Sequence, residues 1–191
     1  MHLCCGPCTL YPLESLRQQG ITVHGFFHNP NIHPFREFVA RIGALEEVAG
    51  RMGLPVEYDR EYGLKEYLRR VVFHEEDRCG ICYAMRLEAT AQKAVKTGAE
   101  AFTTTLLYSR YQRHERIRLL GEELAARYGI PFYYQDFRTG WQEGIDQARA
   151  LGIYRQPYCG CIYSEQERYD KTYRQNRKKL HEEEALQPPA T

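Results

Sequence analysis

Any fold this chain adopts has to account for seven cysteines standing in three tight groups. Cys4, Cys5 and Cys8 form Cys-Cys-Gly-Pro-Cys, Cys79 and Cys82 form Cys-Gly-Ile-Cys, and Cys159 and Cys161 form Cys-Gly-Cys. Glycine inside each group lets the backbone turn so that neighbouring sulfurs face one centre. Two residues between cysteines is the usual spacing for two thiolates on one metal or cluster. The odd number argues against a disulfide framework, and no basic segment followed by an apolar stretch marks a signal peptide, so a reducing, cytoplasmic setting is expected. Structural zinc needs four ligands, and seven thiols exceed one such site. Four thiolates on a [4Fe–4S] cluster would leave three for a second metal or for redox work. A dithiol pair at Cys5 and Cys8 is the remaining reading and leaves five cysteines unexplained.

The rest of the chain is an ordinary background. Its 191 residues suit one domain with a real core, and 43% hydrophobic with 27% charged residues is typical of a globular protein. No apolar run approaches the ~20 residues of a membrane span. Residues 9–19 read as a helix closed by Gly20, 21–27 as a strand, and Asn29-Pro30-Asn31 as a turn. Phe38, Ile42, Leu45 and Val48 recur at helical spacing ahead of Gly53. Residues 55–58 read as a strand, 63–72 as a helix, and a further helix runs from near Cys82 to Gly98. The Ala-Phe-Thr-Thr-Thr-Leu-Leu run at 101–107 reads as a buried strand, followed by a helix to Tyr128, a strand at 131–135 and a helix at 141–151. Ser164 is expected to cap the last helix with Glu167 completing a capping box. Residues 1–5 are too brief for a normal strand. Alternating strands and helices predict a single α/β domain over 1–181, a parallel sheet with helices on both faces, and a frayed tail at 182–191.

In such sheets ligands bind beyond the carboxyl ends of the strands, where the strand order reverses. That edge is where the first cysteine group meets its helix, and Cys8 at a helix N-terminus would favour thiolate. Asn29, Asn31 and His33 follow one strand, Ser109 and Arg110 another, and Asp136 a third. His114 follows closely on Ser109-Arg110 and reads either as functional or as structural. Arg138 is a candidate substrate contact and also the natural partner of Asp136. Tyr108, Tyr111, Tyr154 and Tyr163 read as packing. Net charge is +1, but residues 168–179 are basic with interleaved tyrosines. Arg174, Arg177 and Lys178 there could neutralise phosphates, against the plainer reading of a solvated helix.

Taken together, Cys4-Cys5-Gly6-Pro7-Cys8, the run from Phe27 to Pro34, Arg78-Cys79-Gly80-Ile81-Cys82, Thr103 to Leu107, Asp136-Phe137-Arg138 and the run from Tyr154 to Cys161 resemble the cobalamin-independent epoxyqueuosine reductases. These motifs stand in family order over most of the chain. The resemblance implies a fold related to the adenine-nucleotide α-hydrolases. It implies the last step of queuosine biosynthesis on transfer RNA, in which an epoxide loses its oxygen as water and becomes an alkene. It also implies a [4Fe–4S] cluster, a nearby iron ion and an electron donor. All seven cysteines and Asp136 are then candidate metal ligands, with Cys4, Cys5 and Asp136 catalytic. Asn29, Asn31, His33, Ser109, Arg110, His114, Arg138 and Arg155 are candidate substrate contacts. Cysteines stand where the ATP-using relatives of that fold carry a phosphate loop, so no ATP use is expected.

Overall fold

The structure is a computed structural model that describes residues 1–176. The helices α1 (Leu10–Gln18), α2 (Phe35–Met52), α3 (Leu64–Val71), α4 (Arg78–Thr97), α5 (His114–Tyr128), α6 (Trp141–Ala150) and α7 (Ile162–Tyr169) are followed by further helical residues at 171–176. Two short strands, β1 (Gly25–Phe27) and β2 (Val56–Tyr58), pair in parallel with Gly25 opposite Val56. The chain is therefore a helix-rich α/β domain with a smaller regular sheet than the sequence suggested.

Parallel pairing nevertheless continues beyond those strands. His2 bridges Phe26 on one side and Thr104 on the other, and Phe102 bridges Phe132. Leu3 N donates to Phe26 O at 2.8 Å and His2 N to Thr103 O at 2.8 Å, so the brief opening segment sits in the middle of the pairing. Across the molecule the order is 56–58, 25–27, 1–3, 102–104, 131–133. The chain thus steps outward in one direction from residues 1–3 and then returns to step outward in the other. The reversal lies between residues 1–3 and 102–104, where open α/β sheets hold their ligands.

The expected strands are short for local reasons. Residues 21–24 join no ladder, and pairing on that edge begins where Gly25 N donates to the carbonyl of Pro55, which has no N–H to return. The β-branched run at 101–107 stops at Thr104, whose hydroxyl accepts from Leu106 N at 3.1 Å and caps a 3₁₀ turn over Thr105–Tyr108. The 131–135 segment keeps only the Phe132 bridge.

The main core joins Leu3 and Phe27 to Phe38 and Leu45 of α2, Leu87 of α4, Phe102, and Ile117 and Leu124 of α5. Helix α4 packs along α5, while α1, α2 and α6 share a second cluster at Leu10, Val48 and Ala148. No helix of the described residues is long and apolar enough to cross a membrane.

Candidate metal centre

The first cysteine group leaves the sheet at the reversal point. Gly6 makes that exit possible, because a Cβ there would lie 2.5 Å from the carbonyl oxygen of Ala44 in α2. The three sulfurs of Cys4, Cys5 and Cys8 lie within 4.8 Å of one another, with Cys4 Sγ 3.7 Å from Cys5 Sγ. Cys4 N donates to Thr105 Oγ1 at 3.0 Å, and that hydroxyl faces Cys4 Sγ at 3.3 Å. Gln156 Nε2 reaches Cys5 Sγ at 2.9 Å and Cys8 Sγ at 3.5 Å. Hydrogen bonds from Cys5 and Cys8, aided by Thr105, hold Cys4 well below the ordinary thiol range despite burial. Burial pushes Cys5 up, and its two neighbours push Cys8 up. The thiolate tendency therefore falls on Cys4. Cys8 stands at the start of α1, immediately before the N-cap Thr9, whose hydroxyl donates back to Cys5 O; its two neighbouring thiols and burial push it up there.

The second group rides on α4. That helix starts at Arg78, earlier than its apolar pattern suggested, behind an acidic 3₁₀ turn at Glu75–Asp77. Cys79 and Cys82 consequently share one helix, and Arg86 follows a turn later. Arg86 is 2% exposed and donates to Cys82 Sγ at 2.9 Å and to Cys82 O at 3.1 Å. No carboxylate of the described residues lies within ion-pair distance of it. Its charge instead faces Cys82, Cys159 and Cys4, which outweigh the cost of burial and keep it firmly protonated. Burial pushes the Cys82 thiol up to about 12, against the pull of Arg86.

The third group hangs on a loop. Arg41 of α2, also 2% exposed, donates to Cys159 O at 2.7 Å and Tyr158 O at 2.8 Å while its Nε binds Glu37 at 2.7 Å. His33 N donates to Gly160 O at 2.8 Å, and Tyr158 OH returns a bond to His33 O at 2.6 Å. Gly160 sits at φ +146°, a conformation that disfavours any side chain. Cys161, not Ser164, is the N-cap of α7: its sulfur accepts from Ser164 N at 3.4 Å. Glu167 pairs with Arg78 rather than closing a capping box. Cys159 is exposed and accepts from Gln112 Nε2 at 3.3 Å. Through Arg86, Arg41 and Gln156 the three groups form one continuous neighbourhood.

The other expected residues divide. Asn29 is buried and ties residues 1–3 to the end of β1, donating to Leu3 O at 2.9 Å. Asn31 and Arg41 lie against Gly160. His33 packs beside Tyr62 and Tyr67, and burial lowers its pKa to about 4. Asp136 belongs to a separate constellation. Its carboxylate binds Arg138 Nε at 2.8 Å and Nη2 at 2.6 Å, with His114 Nε2 at 3.5 Å, and the gathered sulfurs do not include it. Those Arg138 bonds hold it near 2. Ser109 caps its own turn, Arg110 lies over the Trp141 ring at 5.8 Å, and Arg155 is exposed. Arg174 is exposed, while Arg177 and Lys178 lie outside the described residues. Arg41, Arg86, Thr105 and Gln156 were not singled out in the sequence. Arg86 was legible, because it stands four residues after Cys82 and so on the same helix face.

The family model described as "Epoxyqueuosine reductase QueH" matches residues 1–167. This chain belongs to that family. A curated "Epoxyqueuosine reductase QueH" from Dehalococcoides mccartyi is 37% identical over 171 residues, covering 90% of this chain and 94% of the relative. One from Thermotoga maritima is 38% identical over 192 residues, covering 95% of this chain and 97% of the relative. One from Streptococcus pyogenes is 36% identical over 177 residues, covering 86% of this chain and 69% of the relative. Membership in the QueH family makes the chain an oxidoreductase, and among the described residues the sulfurs of Cys4, Cys5 and Cys8 are the group that could hold a metal.

Proposed function

We propose that this chain reduces epoxyqueuosine to queuosine in transfer RNA, with a [4Fe–4S] cluster and a nearby iron, as a cytoplasmic enzyme of the adenine-nucleotide α-hydrolase type of fold. The observation that carries the reading is the gathering of the Cys4, Cys5 and Cys8 sulfurs just after the segment at which strand order reverses, with Cys82 and Cys159 facing the same buried Arg86 as Cys4. The donor set fits such a centre. Cys4, Cys5 and Cys8 stand close enough to share one ion, and seven thiols exceed what zinc requires. Arg86, a buried cation without a carboxylate, calls for anionic neighbours, and metal-bound thiolates are anionic whatever the free thiols prefer.

The reaction removes the epoxide oxygen as water and needs two electrons, from an external donor, and two protons. The bound iron–sulfur centre would supply electrons singly and a Lewis-acidic iron. The chain's own residues hold the sulfurs in place: Thr105 fixes Cys4, Gln156 bridges Cys5 and Cys8, and Arg41 clamps the loop bearing Cys159. Asp136 is an anion at neutral pH, a charge that suits the metal-ligand role expected for it. Asn31, His33, Ser109, Arg110, His114, Arg138 and Arg155 are the proposed substrate contacts, with Arg174, Arg177 and Lys178 on the RNA backbone. Protein purified without oxygen should be brown, contain acid-labile sulfide and about four irons per cluster plus further iron. It should convert epoxyqueuosine in transfer RNA to queuosine, read by nucleoside mass spectrometry. Zinc as the sole stoichiometric metal after anaerobic preparation with iron and sulfide, and no conversion, would sink the reading.

A further inference from the structure

Beside the sulfurs lies an aromatic and cationic surface that the fold leaves without a partner. Tyr111 is 84% exposed, and among the described residues the one ring it meets is Trp141, edge-on at 5.6 Å and 78°. Trp141 packs beside Tyr108 at 5.1 Å, and Arg110 lies over its ring at 5.8 Å. This is not core packing, since a tyrosine that serves the core does not stand in water. The surface adjoins the centre through two links: the Tyr108 phenol lies in the field of Cys8, Cys5, Arg110 and Arg155, and Gln112, next to Tyr111, donates to Cys159 Sγ.

Charge says what kind of partner fits. Arg116, Arg118 and Arg127 on α5 each bind a carboxylate. Among the described residues Arg110, Arg113 and Arg155 are exposed and none has a carboxylate within ion-pair distance. Arg110 over Trp141, Arg155 in the field of Tyr108 and Arg113 two residues along the chain from Tyr111 supply unneutralised guanidinium groups that suit a polyanion with unstacked bases. Every nucleobase has a face to stack, and the phosphates supply the anions.

Resting on the transfer RNA reading above, we infer that Tyr111 on its Trp141 support is a stacking platform for a splayed base of a single-stranded RNA loop, with Arg110, Arg113 and Arg155 on the flanking phosphates. The platform holds the loop beside the sulfurs while the modified base enters. It is distinct from the basic segment after Arg168.

The test is equilibrium binding of the intact, metal-loaded protein to an anticodon stem–loop RNA across a salt series, beside the conversion assay. Tyr111→Ala should weaken binding about tenfold or more, and Tyr111→Trp should restore it. Arg113→Ala and Arg155→Ala should each flatten the salt dependence by somewhat under one unit of slope. All these side chains are exposed, so folding is not at stake. Unchanged affinity and slope in the Tyr111 and Arg113 variants, with the wild type binding the RNA, would overturn the platform and leave the enzyme reading intact. Loss of reduction driven by an acidic electron-donor protein, with RNA binding unchanged, would overturn it too and make the surface a protein dock. A wild-type protein that neither binds the RNA nor converts epoxyqueuosine would remove the transfer RNA reading itself.

Discussion

Asp136 carries a charge whose sign is set by its neighbours. Arg138 and the backbone of the turn at Phe137–Gly140 hold it near 2, below the ordinary 3.8. A depressed carboxyl stabilises the fold fully above about 4, and that contribution fades as pH falls from there through 2. With the side chain 36% exposed, solvent screening reduces it to about 1 kcal/mol. Asp136→Asn should therefore lower stability by about that amount in urea unfolding at pH 7 and by clearly less at pH 2, where the carboxyl is half protonated. A loss equal at both pH values would assign the effect to the turn cap rather than to charge. The sequence offered both readings of this residue, as metal ligand and as partner of Arg138. Two residues' separation made the ion pair legible, but the distance to the sulfurs depended on where the 131–133 segment ends.

Helix α4 sets Cys79, Cys82 and Arg86 along one side, and that alignment has an energetic consequence that depends on metal. In metal-free protein Cys82 and Cys159 are pushed towards the protonated thiol, so Cys4 alone offers this guanidinium a thiolate; its charge is only partly compensated, and an apolar replacement costs little. Once the sulfurs are thiolates on a metal, the same cation neutralises them. Arg86→Met should largely preserve the melting temperature of metal-free protein, yet the variant should retain severalfold less iron and sulfide after reconstitution. Arg86→Lys keeps the charge and should lie between. Equal iron in all three would deny the arginine any part in the centre. Helical periodicity around Cys82 was visible in the sequence, but the helix start was not: apolar spacing begins late, whereas the acidic turn at Glu75–Asp77 lets the helix begin at Arg78.

At the scale of the whole molecule, the alternation of helices and extended segments was legible and so was the edge at which the cysteines gather. The extent of the sheet was not. Threonine-rich β-branched residues favour strands, yet at Thr104 and Thr105 the hydroxyls serve a cap and a sulfur, which ends the ladder. Long-range clamps such as Arg41 leave no local trace, because their partners lie 117 and 118 residues away. Arg41→Met should release the loop at Gln156–Cys161 before the rest unfolds. Limited proteolysis would then cut within that loop under conditions where the core remains protected from hydrogen exchange. Protease resistance equal to the wild type would mean that the His33 and Tyr158 bonds suffice.

Gln156 touches Cys5 across 151 residues of chain. A contact so remote in sequence forms only after a large entropic loss has been met by the intervening core. The sulfur pocket is accordingly expected to close only after the core between these residues has formed. Before Gln156 arrives, the thiols of residues 4 to 8 lack that cover and are expected to react with oxidants and soft cations more readily than in the closed protein. The order of folding thus favours assembly of the centre under reducing conditions, with iron delivered to a chain already compact but not yet shut.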